Sequence, residues 1–349
     1  MFIFTDTFFK VLNKSILNQI YRMYIKKNYS FWMTFNWSKK PFLFGILYAG
    51  LICFIAYYFE LSLSLPWQPI GVIGIAVAFY LGFKNNSSYD RTWEARKIYG
   101  GIVNDSRSMG VATVAFIKGE NSDVIKKEII YRHIAWLTCL RYQLRLSRPW
   151  EHKEERLKGV FAPVVCEEYE SQLISDLQKY LTDEEIQKIR GKSNPATQLL
   201  KNQSERLQDL NYKGYFDDFR HMEFHHHINN LFVGQGKAER IKNFPFPRQY
   251  ASTAVWLTFV FSAIVPFGLV DVFNGGLVSQ ILCPIISGLI IWVFFLMEKI
   301  GDYSENPFEG TYNDVPITSI FTGIEIDLRE MIDDTNIPSP VGDNMGFLL

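Results

Sequence analysis

Four histidines in the second half of the chain are the residues best suited to chemistry. They are His221, His225, His226 and His227. Histidines spaced by four on a helix can bind zinc, but Glu223 does not complete an HExxH motif and no third ligand follows at a suitable spacing. Histidine also titrates near neutral pH, so a ring of these side chains repeated between subunits would sense pH. A solvated or packing role, a metal site and a pH-sensitive ring therefore all remain open.

The rest of the sequence offers no catalytic set. It contains no serine–histidine–acid constellation, no glycine-rich phosphate loop and no pair of carboxylates inside its apolar segments. The four cysteines are scattered, without the paired spacing of a disulfide framework or of a cysteine zinc site; they are Cys53, Cys139, Cys166 and Cys283. We therefore expect no enzyme activity, no resident metal and no cofactor. A metal-dependent membrane enzyme is a remote alternative.

Long uncharged segments dominate two regions of the chain. Residues 41–59 and 61–83 are free of charged side chains and are separated by a single glutamate, and residues 251–270 and 272–297 are separated by a single aspartate. A helix needs about 20 apolar residues to cross a bilayer. The sequence therefore predicts four transmembrane helices, arranged as two hairpins.

The polar remainder divides the chain into five segments. Basic residues cluster before the first span, after the second and before the third, which places both termini and the middle segment in the cytoplasm of a multi-pass protein of the inner membrane. We predict a cytoplasmic amphipathic segment over 1–40, a transmembrane hairpin over 41–83, a cytoplasmic helical region over 84–250, a second hairpin over 251–299 and a cytoplasmic C-terminal segment over 300–349.

Helix signals recur through the cytoplasmic region. Apolar residues follow helical spacing over 124–146. Thr182 and Glu185 form a capping box that starts one helix, and Asn194–Pro195 starts another. Residues 146–165 contain two prolines and a glycine and predict a loop. The fold class predicted is an all-α membrane protein whose four transmembrane helices continue into a helical cytoplasmic region.

Two stripes run along the predicted second span. The first is made of small residues, Gly71, Gly74, Ala78 and Gly82, which would let helix backbones approach closely. The second is bulky and apolar: Ile75, Phe79 and Phe83 are spaced by four and lie on another side of the helix. Such a stripe is either ordinary packing surface or a hydrophobic constriction that gates ions by dewetting.

The residues after this stripe resemble a known family. The run GFKNNSSYDRTWEARKIYGGIVNDSR (82–107) is similar to the bacterial branch of the bestrophins, with Arg91 and Trp93 at motif positions. FPFPRQYAST (244–253) matches the family's approach to the third span, and EKIGDYSENPFEGTYNDVPI (298–317) matches its Asn-Pro-Phe segment at Asn306–Pro307–Phe308. The resemblance covers nearly the whole chain.

Membership of the bestrophins would imply a homopentameric ion channel with one central pore. The second helix of each subunit would line a narrow neck with three apolar rings, which the motif anchors place at Ile75, Phe79 and Phe83. A second constriction at the cytoplasmic mouth would fall near Phe219, with a plain core residue as the alternative there. The implied partners are small inorganic ions, the lipid bilayer and further copies of the chain, with no nucleic acid.

Ion selectivity and calcium regulation are less determined. Animal bestrophins conduct chloride-type anions and bacterial relatives include cation channels, so we expect a slight preference for anions and keep a monovalent cation channel as the alternative; a transporter is remote. Animal members also bind calcium with an acidic cluster after Asn-Pro-Phe. Here only Glu309 and Asp314 remain, and calcium prefers six to eight oxygen ligands, so calcium gating is not expected.

Overall fold

Helices make up nearly all the regular structure in the described part of the chain. A computed structural model describes residues 23–24, 29–152, 169–273, 275–310, 314–341 and 347–348. The helices in these ranges are α1 (Phe31–Tyr58), α2 (Trp67–Phe116), α3 (Ser122–Arg145), α4 (Tyr169–Leu177), α5 (Asp183–Ile189), α6 (Pro195–Tyr212), α7 (Asp218–Asn243), α8 (Arg248–Leu269), α9 (Leu277–Ser304) and α10 (Ile317–Glu330). Two short strands, β1 (Met23–Tyr24) and β2 (Phe347–Leu348), pair antiparallel with Met23 opposite Leu348. The predicted all-α class is confirmed.

The chain divides into two compact units. The span unit comprises the described residues within Lys26–Arg91 and Pro245–Glu305, and the helical unit comprises those within Met1–Ile25, Thr92–Phe244 and Asn306–Leu349. Of the described helices, α1, α2, α8 and α9 are long and apolar enough to cross a membrane. Most of each predicted apolar segment lies in one of these four helices.

The membrane helices differ in extent from the uncharged segments that predicted them. α2 has 50 residues, which is about 75 Å at 1.5 Å per residue and far more than a bilayer core requires. α1 begins at Phe31 and continues through Pro41. Proline has no N–H, so the carbonyl of Trp37 loses its helical partner, and the Lys299 Nζ donates to that oxygen at 3.0 Å instead. The five-segment division of the chain stays a prediction.

Small residues let the helices of the span unit pack closely. A Cβ added at Gly45 of α1 would lie 3.0 Å from the Cα of Gly288 in α9, and one added at Gly74 of α2 would lie 2.8 Å from the Phe261 ring of α8. Between helices in a membrane such close approach supplies van der Waals contact, because lipid offers no hydrophobic drive for association. The apolar core of this unit is built from α1, α2, α8 and α9.

The helical unit has its own core, centred on α3. Ile129, Ile134 and Leu137 are buried there, as the periodicity predicted. Both predicted helix starts are confirmed: the Thr182 hydroxyl accepts from the Glu185 N–H at the start of α5, and the Asn194 amide oxygen accepts from the Thr197 N–H at 2.9 Å at the start of α6.

Two sequence predictions reach beyond the described residues. Of the predicted amphipathic segment 1–40, residues 1–22 and 25–28 lie outside them, whereas residues 31–40 belong to α1. Of the predicted loop 146–165, residues 146–152 are non-helical and residues 153–165 lie outside the described part.

Candidate functional site

The bulky stripe of α2 lies on the surface of the chain. Ile75, Phe79 and Phe83 are 73%, 68% and 56% exposed. Val77 and Leu81, on another side of the same helix, are fully buried. The rings of Phe79 and Phe83 meet edge to face, with centroids 4.5 Å apart. This excludes packing inside the chain's own core and leaves two surroundings for the stripe, lipid or the axis of a ring of subunits.

Contacts with α8 orient this helix. Gly74 accommodates the Phe261 ring, as described above. Nearly two turns further on, the Tyr80 ring stacks on that of Tyr250 with centroids 6.2 Å apart. Gly74 and Tyr80 thus face α8, while Phe79, next to Tyr80, is turned outward because consecutive helical residues differ by about 100°. Among the small residues predicted to allow close approach, Gly74 does so, whereas no atom outside the helix lies within 4 Å of a Cβ placed at Gly82.

A buried ion pair follows directly after the stripe. The Lys84 Nζ lies 2.8 Å from the Glu298 Oε1 and 3.8 Å from the nearer Asp302 oxygen. The side chains of Lys84 and Glu298 are only 1% and 13% exposed. Gly301 makes room beside them, because a Cβ there would lie 2.2 Å from the Asn85 Oδ1. This ion pair therefore links α2 to α9 at the residue next to Phe83.

Sequence reasoning missed this pair. It treated Lys84 and Glu298 only as parts of two separate family motifs. A signal was present, because a lysine at the end of one predicted span and a glutamate at the end of another can neutralise each other. Their separation along the chain, 214 residues, meant that only the folded structure could match them.

Arg91 holds the end of α9. Its Nε donates to the Glu305 carbonyl oxygen at 2.9 Å. Both terminal nitrogens of Arg248 donate to the Glu305 Oε1, at 3.0 and 2.9 Å, and the Glu305 side chain is 1% exposed. The motif arginine therefore stabilises a helix terminus within the span unit. Trp93, the other motif residue of this run, is exposed.

The Asn-Pro-Phe segment is a buried turn of the helical unit. Asn306 and Phe308 are buried, and the Phe308 ring packs edge to face on Tyr99 with centroids 5.6 Å apart. The Pro307 carbonyl oxygen accepts from the Val315 N–H at 3.2 Å. These contacts give the motif a structural role in closing the segment back on itself.

Both carboxylates after this motif are bonded to nitrogen donors. The Asp314 Oδ2 accepts from Arg145 and from the Gly310 N–H. The Glu309 Oε1 accepts from the His152 N–H at 3.0 Å and lies 2.9 Å from its Nδ1. Burial raises the pKa of Asp314, while the Arg145 guanidinium lowers it. The Arg145 guanidinium therefore neutralises the Asp314 carboxylate and takes the place that a bound cation would have.

Phe219 lies at the beginning of α7 and is 89% exposed. The Asp217 carboxylate caps this helix by accepting from the Arg220 N–H at 2.9 Å. The exposure excludes a plain core residue within the chain. Its assignment as a second constriction stays a prediction.

The histidine cluster does not converge on one point. The His221 ring stacks on Phe216, and the His227 Nε2 lies 3.7 Å from the Glu223 Oε1. Burial lowers the pKa of His227, and the Glu223 carboxylate opposes that shift. His225 and His226 are exposed. Across the part of the chain that the structure describes, no group of three or more His, Cys, Asp or Glu residues is arranged to hold a metal ion.

Comparison with known proteins identifies the family. The family described as "Bacterial/Fungal Bestrophin protein" matches residues 39–330. The chain belongs to this family. This bestrophin is also 28% identical, over 300 residues, to the voltage-dependent anion channel-forming protein YneE of Escherichia coli O157:H7, covering 86% of this chain and 87% of the relative. A Ralstonia nicotianae protein with the same description is 27% identical over 300 residues, covering 85% and 88%.

A solved structure shares the fold. The crystal structure of a bacterial bestrophin homologue from Klebsiella pneumoniae superimposes with a TM-score of 0.70 at 23% sequence identity, covering 85% of this chain and 98% of that one. Family membership and the four apolar helices together make this bestrophin a membrane protein. The resemblance found in the sequence is thereby confirmed.

Proposed function

We propose that this bestrophin is the pore-forming subunit of a homopentameric channel for small monovalent anions, with Ile75, Phe79 and Phe83 as the hydrophobic neck. The observation that carries the proposal is the outward position of all three side chains on a membrane helix. A lipid-facing stripe needs no particular size or spacing. A neck does, because apolar rings stacked one helical turn apart must narrow the pore enough to expel water when it is closed.

The surface after the stripe favours the axis of a ring over lipid. Beyond Phe83 the exposed residues of α2 include the polar side chains of Asn86, Ser87 and Asp90, together with the aromatic side chain of Tyr89. An ion that leaves an apolar constriction must regain polar contacts. These side chains offer hydrogen-bond partners at that point. A pore that widens after the neck into a polar vestibule accounts for this order of residues.

Two relatives support a channel for anions over an enzyme or a transporter. The Escherichia coli and Ralstonia proteins are both described as voltage-dependent anion channel-forming proteins. Five copies around one axis would give five-fold rings at each neck position. The neck itself carries no formal charge, so anion preference would arise from the positive ring edges of Phe79 and Phe83, which an anion can approach in the plane of the ring.

The reversal potential of the purified protein in a planar bilayer under a KCl gradient tests selectivity. We expect it near the chloride equilibrium potential. A value at the potassium equilibrium potential would instead establish the cation channel, and intact oligomers that pass no current would refute a channel of either kind.

The neck is tested by replacing Ile75, Phe79 and Phe83 together with alanine. We expect a larger conductance or loss of closure, because smaller side chains widen the constriction and let water remain in it. The matched control replaces Leu47, Leu51 and Phe54, which are also apolar and more than half exposed but lie on α1. Unchanged currents in the α2 variant, or equal effects in both variants, would contradict the assignment.

We further propose that the protein lies in the inner membrane with both termini in the cytoplasm. The distribution of basic residues supports this orientation. A cysteine placed at Trp150 in a cysteine-free background should react with a membrane-impermeant maleimide only after the cells are permeabilised. Labelling of intact cells would reverse the proposed orientation.

A further inference from the structure

Two cysteines that are far apart in the sequence meet inside the span unit. The Sγ of Cys53 in α1 lies 3.2 Å from the Sγ of Cys283 in α9, and both residues are buried free thiols. Their separation along the chain is 230 residues, which is why the spacing of the cysteines indicated no pairing. From this geometry we propose that Cys53 and Cys283 form a redox-active dithiol that closes to a disulfide between the first and fourth membrane helices.

The packing of the two helices makes the bond geometrically accessible. A disulfide needs Cα atoms within about 4.4–6.8 Å and a sulfur–sulfur distance near 2.05 Å. Close approach is enforced on the same seam, since a Cβ on Gly45 would lie 3.0 Å from the Gly288 Cα and one on Gly50 would lie 4.0 Å from the Pro284 side chain. Residue numbers increase along α1 while those of the contacting residues in α9 decrease, so the two helices are antiparallel here. The contact of Cys53 with Cys283 continues this series.

The small, uncharged residues around the two thiols determine which kind of oxidant can reach them. Ala49 and Ala56, one turn before and nearly one turn after Cys53, are buried, as is Ser287, one turn after Cys283. No charged residue lies among these small neighbours. Water-soluble, charged oxidants therefore have poor access, and the oxidant class that fits the site is a neutral two-electron acceptor that partitions into the membrane.

The reaction balances with an azo compound as the acceptor. One thiol adds across the N=N bond, which forms an S–N bond and transfers its proton to the other nitrogen. The second thiol attacks that sulfur, so the S–S bond forms, the S–N bond breaks and the second proton completes the hydrazine. Two thiols lose two electrons and two protons, and the azo group gains both. A phosphine or thiol reductant reverses the change at sulfur.

The consequence is a covalent link between the two hairpins. α1 belongs to the first hairpin and α9 to the second, and the bond would hold their seam against sliding or separation. Oxidised protein should therefore keep its folded, oligomeric form to a higher temperature than reduced protein. Formation of the disulfide requires no current through the pore. The outcome of its test is therefore independent of the proposed channel function.

Counting reactive thiols after denaturation tests the proposal directly. The full-length protein in membranes is treated with the azo oxidant diamide, denatured, labelled with N-ethylmaleimide and weighed by mass spectrometry. The chain has four cysteines, so we expect four labels before oxidation, two afterwards and four again after phosphine treatment. Peptide mapping should recover a single cross-linked species that contains Cys53 and Cys283.

Matched variants separate this pair from the other thiols. Cys139→Ser should still lose two labels on oxidation, whereas Cys53→Ser and Cys283→Ser should keep all three of theirs. Dibromobimane, which fluoresces strongly once both its arms have alkylated thiols, tests proximity without an oxidant and should label the wild type but neither of these two single variants. Four labels after diamide together with no bimane fluorescence, or cross-links that join different cysteines or different subunits, would overturn the proposal.

Discussion

Replacing Lys84 with methionine tests how firmly the helix of the proposed neck is held to α9. Methionine keeps much of the length of the lysine side chain but removes its charge. The Glu298 carboxylate, 2.8 Å from the Lys84 Nζ and 13% exposed, would then remain buried beside an uncharged group. The variant therefore measures the consequence of leaving one charge of a buried pair uncompensated.

The expected loss of stability is large for one substitution. Removing one partner of a buried ion pair typically costs about 3–5 kcal/mol. The more distant Asp302 is 31% exposed, and removing its charge alone should cost less than about 1 kcal/mol. At roughly 2 °C per kcal/mol for a chain of this size, the Lys84→Met variant should lose about 6–10 °C in its unfolding midpoint.

Two comparison variants make the measurement specific. Lys84→Met with Glu298→Gln removes both charges, so it should be more stable than Lys84→Met alone, with a coupling of about 1–3 kcal/mol. Lys97 of the same helix lies 2.7 Å from Glu94, but these side chains are 60% and 38% exposed. Lys97→Met should therefore change stability by less than about 1 kcal/mol, although its ion pair is equally short.

Size-exclusion chromatography of purified protein heated in detergent supplies the midpoints. The reasoning fails if Lys84→Met unfolds within 2 °C of the wild type, because the pair would then contribute no more than a surface contact. It also fails if the double variant loses more stability than the two single variants lose in sum.

Three further predictions follow from individual side chains. Burial lowers the pKa of His133 to about 3, whereas the pKa of a histidine in the unfolded chain is about 6.5. Between these two pH values the unfolded state binds more protons than the folded state. The free energy of unfolding should therefore fall by about 1.4 kcal/mol per pH unit as the pH drops from 6.5 towards 3. His133→Leu should flatten that part of the dependence of the unfolding midpoint on pH, and an unchanged slope would be evidence against a neutral buried histidine. Phe219→Ala should alter conductance or selectivity while leaving the midpoint unchanged, because the ring is 89% exposed; identical single-channel currents would remove Phe219 from the pore. Micromolar calcium should leave the current unaltered, because Asp314 is bonded to Arg145 and Glu309 to His152, and activation by calcium would contradict this.

The sequence was sufficient for features that depend on local pattern. Uncharged runs of about 20 residues must be helical in a bilayer, because no other single-chain segment satisfies its own backbone there. Helix starts at Thr182 and Asn194 were readable because a cap joins residues three apart. The neck candidates and the bestrophin motifs were likewise visible, since both are runs or repeats within a single stretch of chain.

Only the tertiary structure decided which distant residues meet. Lys84 pairs with Glu298, Arg145 with Asp314 and Cys53 with Cys283 across separations of 214, 169 and 230 residues. No periodicity within a segment encodes such partners, because they depend on which helix faces pack and in which register. The same holds for the stripe of Ile75, Phe79 and Phe83: its spacing defined a face of the helix, but only the packing of α8 on another side of α2 showed that this face points outward.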